Sequence, residues 1–344
     1  MEKLRLILYP FSILYGIVLE IRNRAFDWGW LPVYKSKVTV ISVGNLSIGG
    51  SGKSPMVEFL LENYFLNKKV AVLSRGYGRK SEGFVEVEVD SDALLVGDEP
   101  LQTKMKFPNV TVAVCEDRVS GIKILERNHE VILMDDAFQH RYVKPKFQIL
   151  LTSATLPYCD DFVLPAGNLR EFRKGKNRSD LVVLTKMDEH PSEEEVLGWR
   201  RKLSIKDNVP LLFSTIEYKD LVPLNDQVNR KVEISKRTCV YLITGIADST
   251  PLVRHIMEKY KLAKHFKFAD HYPFAVSDLE QILEDFKKAS DNSVIFTTQK
   301  DAVKLNRPEL KEVLEEMPIY ALKMVVGFSP EDKNVITGKL EELC

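Results

Sequence analysis

The stretch VGNLSIGGSGKSPM, residues 43–56, decides how this chain is read. A β-branched run, KVTVISV at 37–43, leads into it. Met56, Val57, Leu60, Leu61, Tyr64 and Phe65 follow at helical spacing. The expected order is a buried strand, a glycine-rich turn and an amphipathic helix. Against the phosphate-loop pattern GxxxxGK[ST], Ser47 takes the first glycine position, followed by Ile48, Gly49, Gly50, Ser51, Gly52, Lys53 and Ser54. That single departure leaves the physics intact. Small residues let backbone N–H groups converge on phosphate oxygens, and the following helix adds its N-terminal dipole. Lys53 offers a fixed positive charge to the β- and γ-phosphates, and the Ser54 hydroxyl suits Mg²⁺.

VILMDD at 131–136 supports this reading. Four apolar residues before two aspartates describe a buried strand that delivers carboxylates to its C-terminal end, the Walker B arrangement that holds Mg²⁺. Asp135 and Asp136 point to opposite faces of a strand, so they are expected to do different work. Further short apolar runs lie at Val70–Leu73, Val110–Val114, Phe147–Leu151 and Leu181–Leu184, with amphipathic stretches between several of them. The expected fold is α/β of the P-loop NTPase type, a parallel sheet flanked by helices. A second alternating set starts near Cys239–Ile243 and includes Val294–Thr297, Ile319–Val326 and a helix over 277–289 opened by Ser277-x-x-Glu280. It implies a smaller C-terminal α/β domain. The expected boundaries are 1–30 for an N-terminal helix, 31–216 for the P-loop core, 217–237 for a polar linker and 238–344 for the smaller domain.

The 344 residues, 44% hydrophobic and 28% charged, suit two globular domains. With 49 basic and 49 acidic residues, no global field exists to attract nucleic acid. Four scattered cysteines, without a CxxC pair, argue for a reducing compartment and against a zinc site or disulfide framework. At the N-terminus, Leu6–Leu19 carries no charge over 14 residues, too few to cross a bilayer core of ~30 Å. Lys3, Arg5, Arg22 and Arg24 bracket it, with Trp28 and Trp30 just beyond. This suits a helix lying in the membrane interface, or alternatively a terminal helix buried against the body. Pro10 and Gly16 weaken a straight helix in either case.

Three classes of P-loop protein compete. A nucleotide-switch ATPase would carry KGGxGK[ST], but Ile48 stands where its signature lysine belongs. A GTPase would read guanine with [NT]KxD, and Thr185-Lys186-Met187-Asp188 fits that pattern. Four-residue matches arise by chance, however, and no DxxG follows Asp135 or Asp136 at the right place. A small-molecule kinase is the third class, and the rest of the chain favours it.

An ordered series of motifs runs through most of the sequence. It comprises SVGNLSIGGSGKSP at 42–55, LSRGYGRK at 73–80, GDEP at 97–100, EDR at 116–118, DDAFQHR at 135–141, LPAGNLRE at 164–171, ADHYPF at 269–274 and TTQKDAVKL at 297–305. In this series the chain resembles the tetraacyldisaccharide 4′-kinase (LpxK) family of lipid A synthesis. Ala137 replaces the family's usual Gly and Gln299 its usual Glu, and neither change removes an obvious catalytic group. The resemblance implies transfer of the ATP γ-phosphate, with Mg²⁺, to the 4′-hydroxyl of a membrane-embedded tetraacyldisaccharide 1-phosphate. It also implies a place on the cytoplasmic face of the bacterial inner membrane, with no nucleic acid and no obligate protein partner.

The resemblance further implies roles for single residues. Asp98 would be the base that takes the acceptor proton, with His271 as its partner, a pairing in which each group orients the other. Arg170 would neutralise the transferring phosphate, and Glu171 would assist the metal beside Ser54, Asp135 and Asp136. Arg75, Tyr77 and Arg79, just past a strand, would meet the acceptor sugar or its 1-phosphate. Gln139, His140 and Arg141 would sense or position the γ-phosphate, His140 being equally suited to a structural hydrogen bond. Lys174, Lys176 and Arg178 complete a basic run after Arg170 and Arg173 that also reads as a solvated loop.

Overall fold

The computed structural model describes residues 5–225, 234–270, 272–290 and 292–343. The chain forms two compact units. One runs to Ile216 and takes back the chain from Val326, and the other is Glu217–Val325.

The first unit contains α1 (Tyr9–Asp27), β1 (Thr39–Asn45), α2 (Lys53–Leu60), β2 (Val70–Ser74), β3 (Val85–Glu86), α3 (Ala93–Val96) and α4 (Asp98–Lys106). It continues with β4 (Thr111–Val114), α5 (Arg118–Leu125), β5 (Val131–Asp135), β6 (Phe147–Ser153), β7 (Leu181–Met187), α6 (Glu193–Leu203) and the start of β8 (Leu211–Pro223). Strand order is β8-β7-β6-β1-β5-β2-β4-β3. Neighbouring strands from β4 through to β8 pair parallel, and only the short β3 runs antiparallel, beside β4. β1 lies between β5 and β6, so the chain leaves it toward one side of the sheet and later returns to the other. Such a switch point opens a crevice at the C-terminal strand ends. The phosphate loop lies there. The central strands are buried on both faces, as their unbroken Val/Ile/Leu content requires. Val40, Leu73, Ile122, Ile132 and Met134 pack in one core layer, while Leu150, Val182, Leu184, Leu203 and Phe213 pack in another.

The second unit contains β9 (Cys239–Thr244), α7 (Thr250–Lys259), β10 (Lys261–Lys267), α8 (Val276–Phe286), β11 (Ser293–Thr298), α9 (Gln299–Leu305), α10 (Lys311–Leu314) and most of β12 (Ile319–Phe328). Its strands run β10-β9-β11-β12, all parallel. A buried ion pair ties it together. Asp301, fully buried, accepts from Lys304 at 3.1 Å, from Thr298 at 2.8 Å and from the Gly245 N–H at 2.9 Å.

Several expectations need correction. The polar stretch after 216 continues β8 as far as Pro223, its side chains there only half-buried or exposed, and residues 226–233 of the expected linker lie outside those described. Residues 326–344, expected in the smaller domain, belong to the first unit, where α11 (Pro330–Glu341) lies. There Asp332 accepts from the Phe213 N–H at 3.1 Å. Helix α8 begins at Val276, and Asp278 rather than Glu280 reaches back, to the Ala275 N–H at 2.8 Å. The helical region Leu6–Asp27 is also longer than the uncharged run, and by length and composition it could cross a membrane. Pro10 sits in its first turn, where a missing N–H costs nothing. Gly16 gives room for the Phe172 ring: a Cβ there would lie 2.3 Å from Cζ.

Candidate active site

β1 ends at Asn45, and the loop to α2 carries Gly49 and Gly52 at φ +104° and +84°, angles that favour glycine. A Cβ on Gly49 would meet nothing within 4 Å, so the loop is open at that point. Two neighbours fix its shape. The Thr185 hydroxyl, at the end of β7, donates to the Ser51 carbonyl at 2.9 Å. The LPAGNLRE segment runs alongside, with Ile48 N–H donating to Asn168 O at 2.8 Å and Arg170 N–H to Leu46 O at 2.7 Å. Gly44 permits the close approach of the DDAFQHR loop, since a Cβ would lie 2.7 Å from that of Phe138.

The charged groups converge at the ends of β1 and β5. Ser54, in the first turn of α2, donates to Glu99 at 3.1 Å and lies 3.5 Å from Asp135. Lys53 reaches the Gly49 carbonyl at 3.4 Å and Asp136 at 3.8 Å. Arg170 grips Asp136 with two bonds, 2.9 and 3.0 Å, the planar fork that guanidinium and carboxylate form best. Asp136 leaves the strand at φ +47°, which turns it away from Asp135. The two aspartates therefore do face different partners. Burial, then Glu99 and Asp136, raise the Asp135 carboxyl to about 7, and its Oδ1 is buried with no hydrogen-bond partner among the described residues. Crowded carboxylates around an orphaned oxygen fit a divalent cation beside Ser54. No cage of three or more His, Cys, Asp or Glu is present among the described residues. Mg²⁺ beside a nucleotide uses few protein ligands, so the donor set fits it.

The remaining predicted residues divide. Glu171, expected at the metal, is buried and its oxygens are engaged: Arg178 bonds both at 2.7 and 2.9 Å, Gln139 one at 3.0 Å and Asn23 the other at 3.0 Å. Gln139 also donates to the Asn45 carbonyl at 2.8 Å, linking the strand end to this clamp. Arg141 turns toward α1, donating to Asn23 O at 2.9 Å and Asp27 at 2.6 Å. Arg79 is held by the Gly83 carbonyl at 2.6 Å and by Glu116 of EDR. In this geometry Glu171 is clamped on both oxygens, whereas Arg79 and Arg141 are anchored through some of their five N–H donors. Arg75 and Tyr77 remain exposed in the same loop. His140 is pushed down to about 4, by burial and then by Arg118, so it is neutral near pH 7. Asp98 opens α4 after Gly97, whose Cβ position would lie 3.3 Å from the Gly76 Cα, so the GDEP and LSRGYGRK loops meet. His271 lies outside the described residues.

Two residues escaped the sequence reading. Glu99 follows Asp98 in GDEP and was overshadowed by it. Arg118 of EDR is buried, and burial with the nearby Arg75 lowers it to about 10. Its motif was the only signal.

Residues 4–341 match the family model described as LpxK, tetraacyldisaccharide-1-P 4′-kinase. The chain belongs to this family. A tetraacyldisaccharide 4′-kinase of Flavobacterium johnsoniae is 43% identical, with 93% of each chain covered. One of Bacteroides thetaiotaomicron is 41% identical over 93% of this chain and 88% of its own. Among solved structures, LpxK of Aquifex aeolicus in complex with ATP matches with TM-score 0.70 and 30% identity, covering 96% of this chain and 97% of its own. The LpxK likeness thus spans the phosphate loop, the clamp and the second unit alike.

Proposed function

We propose that this chain transfers the γ-phosphate of ATP to the 4′-hydroxyl of a tetraacyldisaccharide 1-phosphate, the reaction for which its relatives are named. The observation that carries the reading is the convergence of Lys53, Ser54, Asp135 and the Arg170–Asp136 pair at the end of the phosphate loop. Phosphoryl transfer asks for positioning and charge neutralisation more than covalent chemistry. Loop N–H groups and Lys53 bind the β- and γ-phosphates. Ser54, Asp135 and Glu99 would hold Mg²⁺, which when bound neutralises charge on the phosphate oxygens. Arg170, steered by Asp136 and Gln139, meets the phosphoryl group in flight. Asp98, with His271, accepts the proton that the acceptor hydroxyl loses. Arg75 and Tyr77 present donors to the acceptor's phosphate or sugar.

The acceptor carries four acyl chains and so resides in a bilayer. Ile7, Phe11, Leu14, Val18 and Ile21 point outward from the N-terminal helix, each more than half exposed, with Trp28 and Trp30 beyond. Its other face docks on the body, where Ser12 accepts from the Ala166 N–H at 2.8 Å and Tyr9 meets Phe162 edge-on. This supports a monotopic attachment, on the face of the inner membrane where ATP is available. The test uses γ-labelled ATP, Mg²⁺ and the disaccharide lipid. Wild type should label the lipid and Lys53→Ala should not. Nucleotide hydrolysis without labelled lipid would return the switch-ATPase reading.

A further inference from the structure

A cavity of about 430 Å³ opens at the opposite, amino-terminal edge of the first unit's sheet, away from the phosphate loop. Phe147, which opens β6, and Asp180, just before β7, line it together with Ser204 to Lys206, Lys339, Glu342 and Leu343. Its volume falls in the range of small-molecule sites. Its charge is one-sided. Lys146, Lys176, Lys206 and Lys339 face two carboxylates, Asp180 and Glu342, in a chain whose total charge is zero. A fifth cation, Arg178, is already matched by Glu171.

Lys339 is paired with Glu342 at 3.1 Å, but the other lysines are not used up by the protein. Lys146 gives one proton to the Leu343 carbonyl and Lys176 one to that of Ser204, which leaves each ammonium two more. Burial, then the neighbouring charge of Lys206, lower the Lys176 ammonium. Like charges crowded into a concave site cost free energy that an anion would recover.

We propose that this cavity is a second anion site, which takes a phosphate monoester of nucleotide or sugar-phosphate size and is separate from the ATP site. It also has a physical path to that site. Arg178 lines the cavity and clamps Glu171, Glu171 accepts from Gln139, and Gln139 faces Arg170, which holds Asp136. A phosphate that draws Arg178 toward the cavity loosens the clamp, and the change reaches the arginine assigned to the transferring phosphate. Binding stands apart from the kinase reading, and only this coupling rests on it.

The test uses full-length protein saturated with Mg²⁺ and a non-hydrolysable ATP analogue, so that the phosphate loop is filled. Ribose 5-phosphate is titrated in by calorimetry at low salt. In a parallel arm the protein is sedimented with phosphatidic acid vesicles, which present the same monoester as a lipid headgroup. Lys176→Ala/Lys206→Ala should weaken binding at least tenfold in one arm or both, and the arm affected identifies the source. Lys176→Arg/Lys206→Arg should restore it. Kinase turnover of the alanine variant without added phosphate should stay within twofold of wild type, which separates lost binding from lost fold. Equal behaviour of wild type and alanine variant in both arms overturns the site. Added ribose 5-phosphate or vesicle should shift kcat/KM for ATP at least twofold in wild type and not in the alanine variant. An unchanged kcat/KM with intact binding overturns the coupling alone.

Discussion

At the scale of single residues, the phosphate site divides labour by charge and by burial. Lys53 is the fixed cation of the loop, held by a backbone carbonyl and Asp136. Its replacement by alanine leaves the loop backbone in place and removes the charge, so turnover should fall at least ~10²-fold with an unchanged melting curve. Glu99 shares the Ser54 hydroxyl with Asp135. Glu99→Ala should raise the Mg²⁺ concentration needed for half-maximal rate more than it raises KM for ATP, as a magnesium titration at fixed nucleotide would reveal. His140 makes a prediction about stability. Its folded value of about 4 lies below its ordinary 6.5, so folding favours the neutral ring. The stability it confers is complete above pH 6.5 and is lost as pH falls toward 4, by roughly 2–3 kcal/mol for a largely buried group. His140→Gln should flatten that part of the stability-against-pH curve, and an unchanged slope in urea titrations across pH 4–7 would remove the assignment.

At the scale of elements, the N-terminal helix is defined by two faces with different tasks. The inner face is specified by small residues: Ser12 meets the Ala166 N–H, and Gly16 admits Phe172. Gly16→Val should force the ring aside and cost about 1–3 kcal/mol in thermal unfolding, the usual scale of overpacking. The outer face is apolar and exposed, which water penalises and a lipid interface would not. Arg141 and Asn23 join this helix to the loop after β5. Arg141, expected near the γ-phosphate, thereby anchors the N-terminal helix to that loop in this geometry.

At the scale of the whole molecule, surface attachment and chemistry can be separated by experiment. Removing residues 1–24 should reduce co-sedimentation with anionic vesicles, and should lower activity on vesicle-borne lipid more than on lipid in detergent micelles. High salt should loosen attachment only in part, since screening weakens charge and not apolar burial. Equal sedimentation of full-length and truncated protein would move the contact elsewhere. The base assignment also belongs to this scale, because Asp98 lies in the first unit's chain and His271 in the second's. If the two act as one device, the double alanine variant should be little slower than the worse single one. Multiplicative losses in kcat would split them into separate roles.

The sequence by itself determined the phosphate loop, its flanking strand and helix, the aspartates at the end of β5 and the alternation that builds a parallel sheet. Each rests on local spacing, which the backbone converts directly into geometry. Tertiary structure alone decided which charges remain available. Glu171, Arg79 and Arg141 are charged, as the residues of the phosphate site are, and nothing in their immediate neighbours marks them as paired. Their partners, Arg178, Glu116 and Asp27, lie 7, 37 and 114 residues away along the chain, and folding brings them together. Burial then decides what a polar group costs: Glu171 is clamped on both oxygens, while Ser54 lies between Glu99 and Asp135, whose Oδ1 is buried without a partner among the described residues.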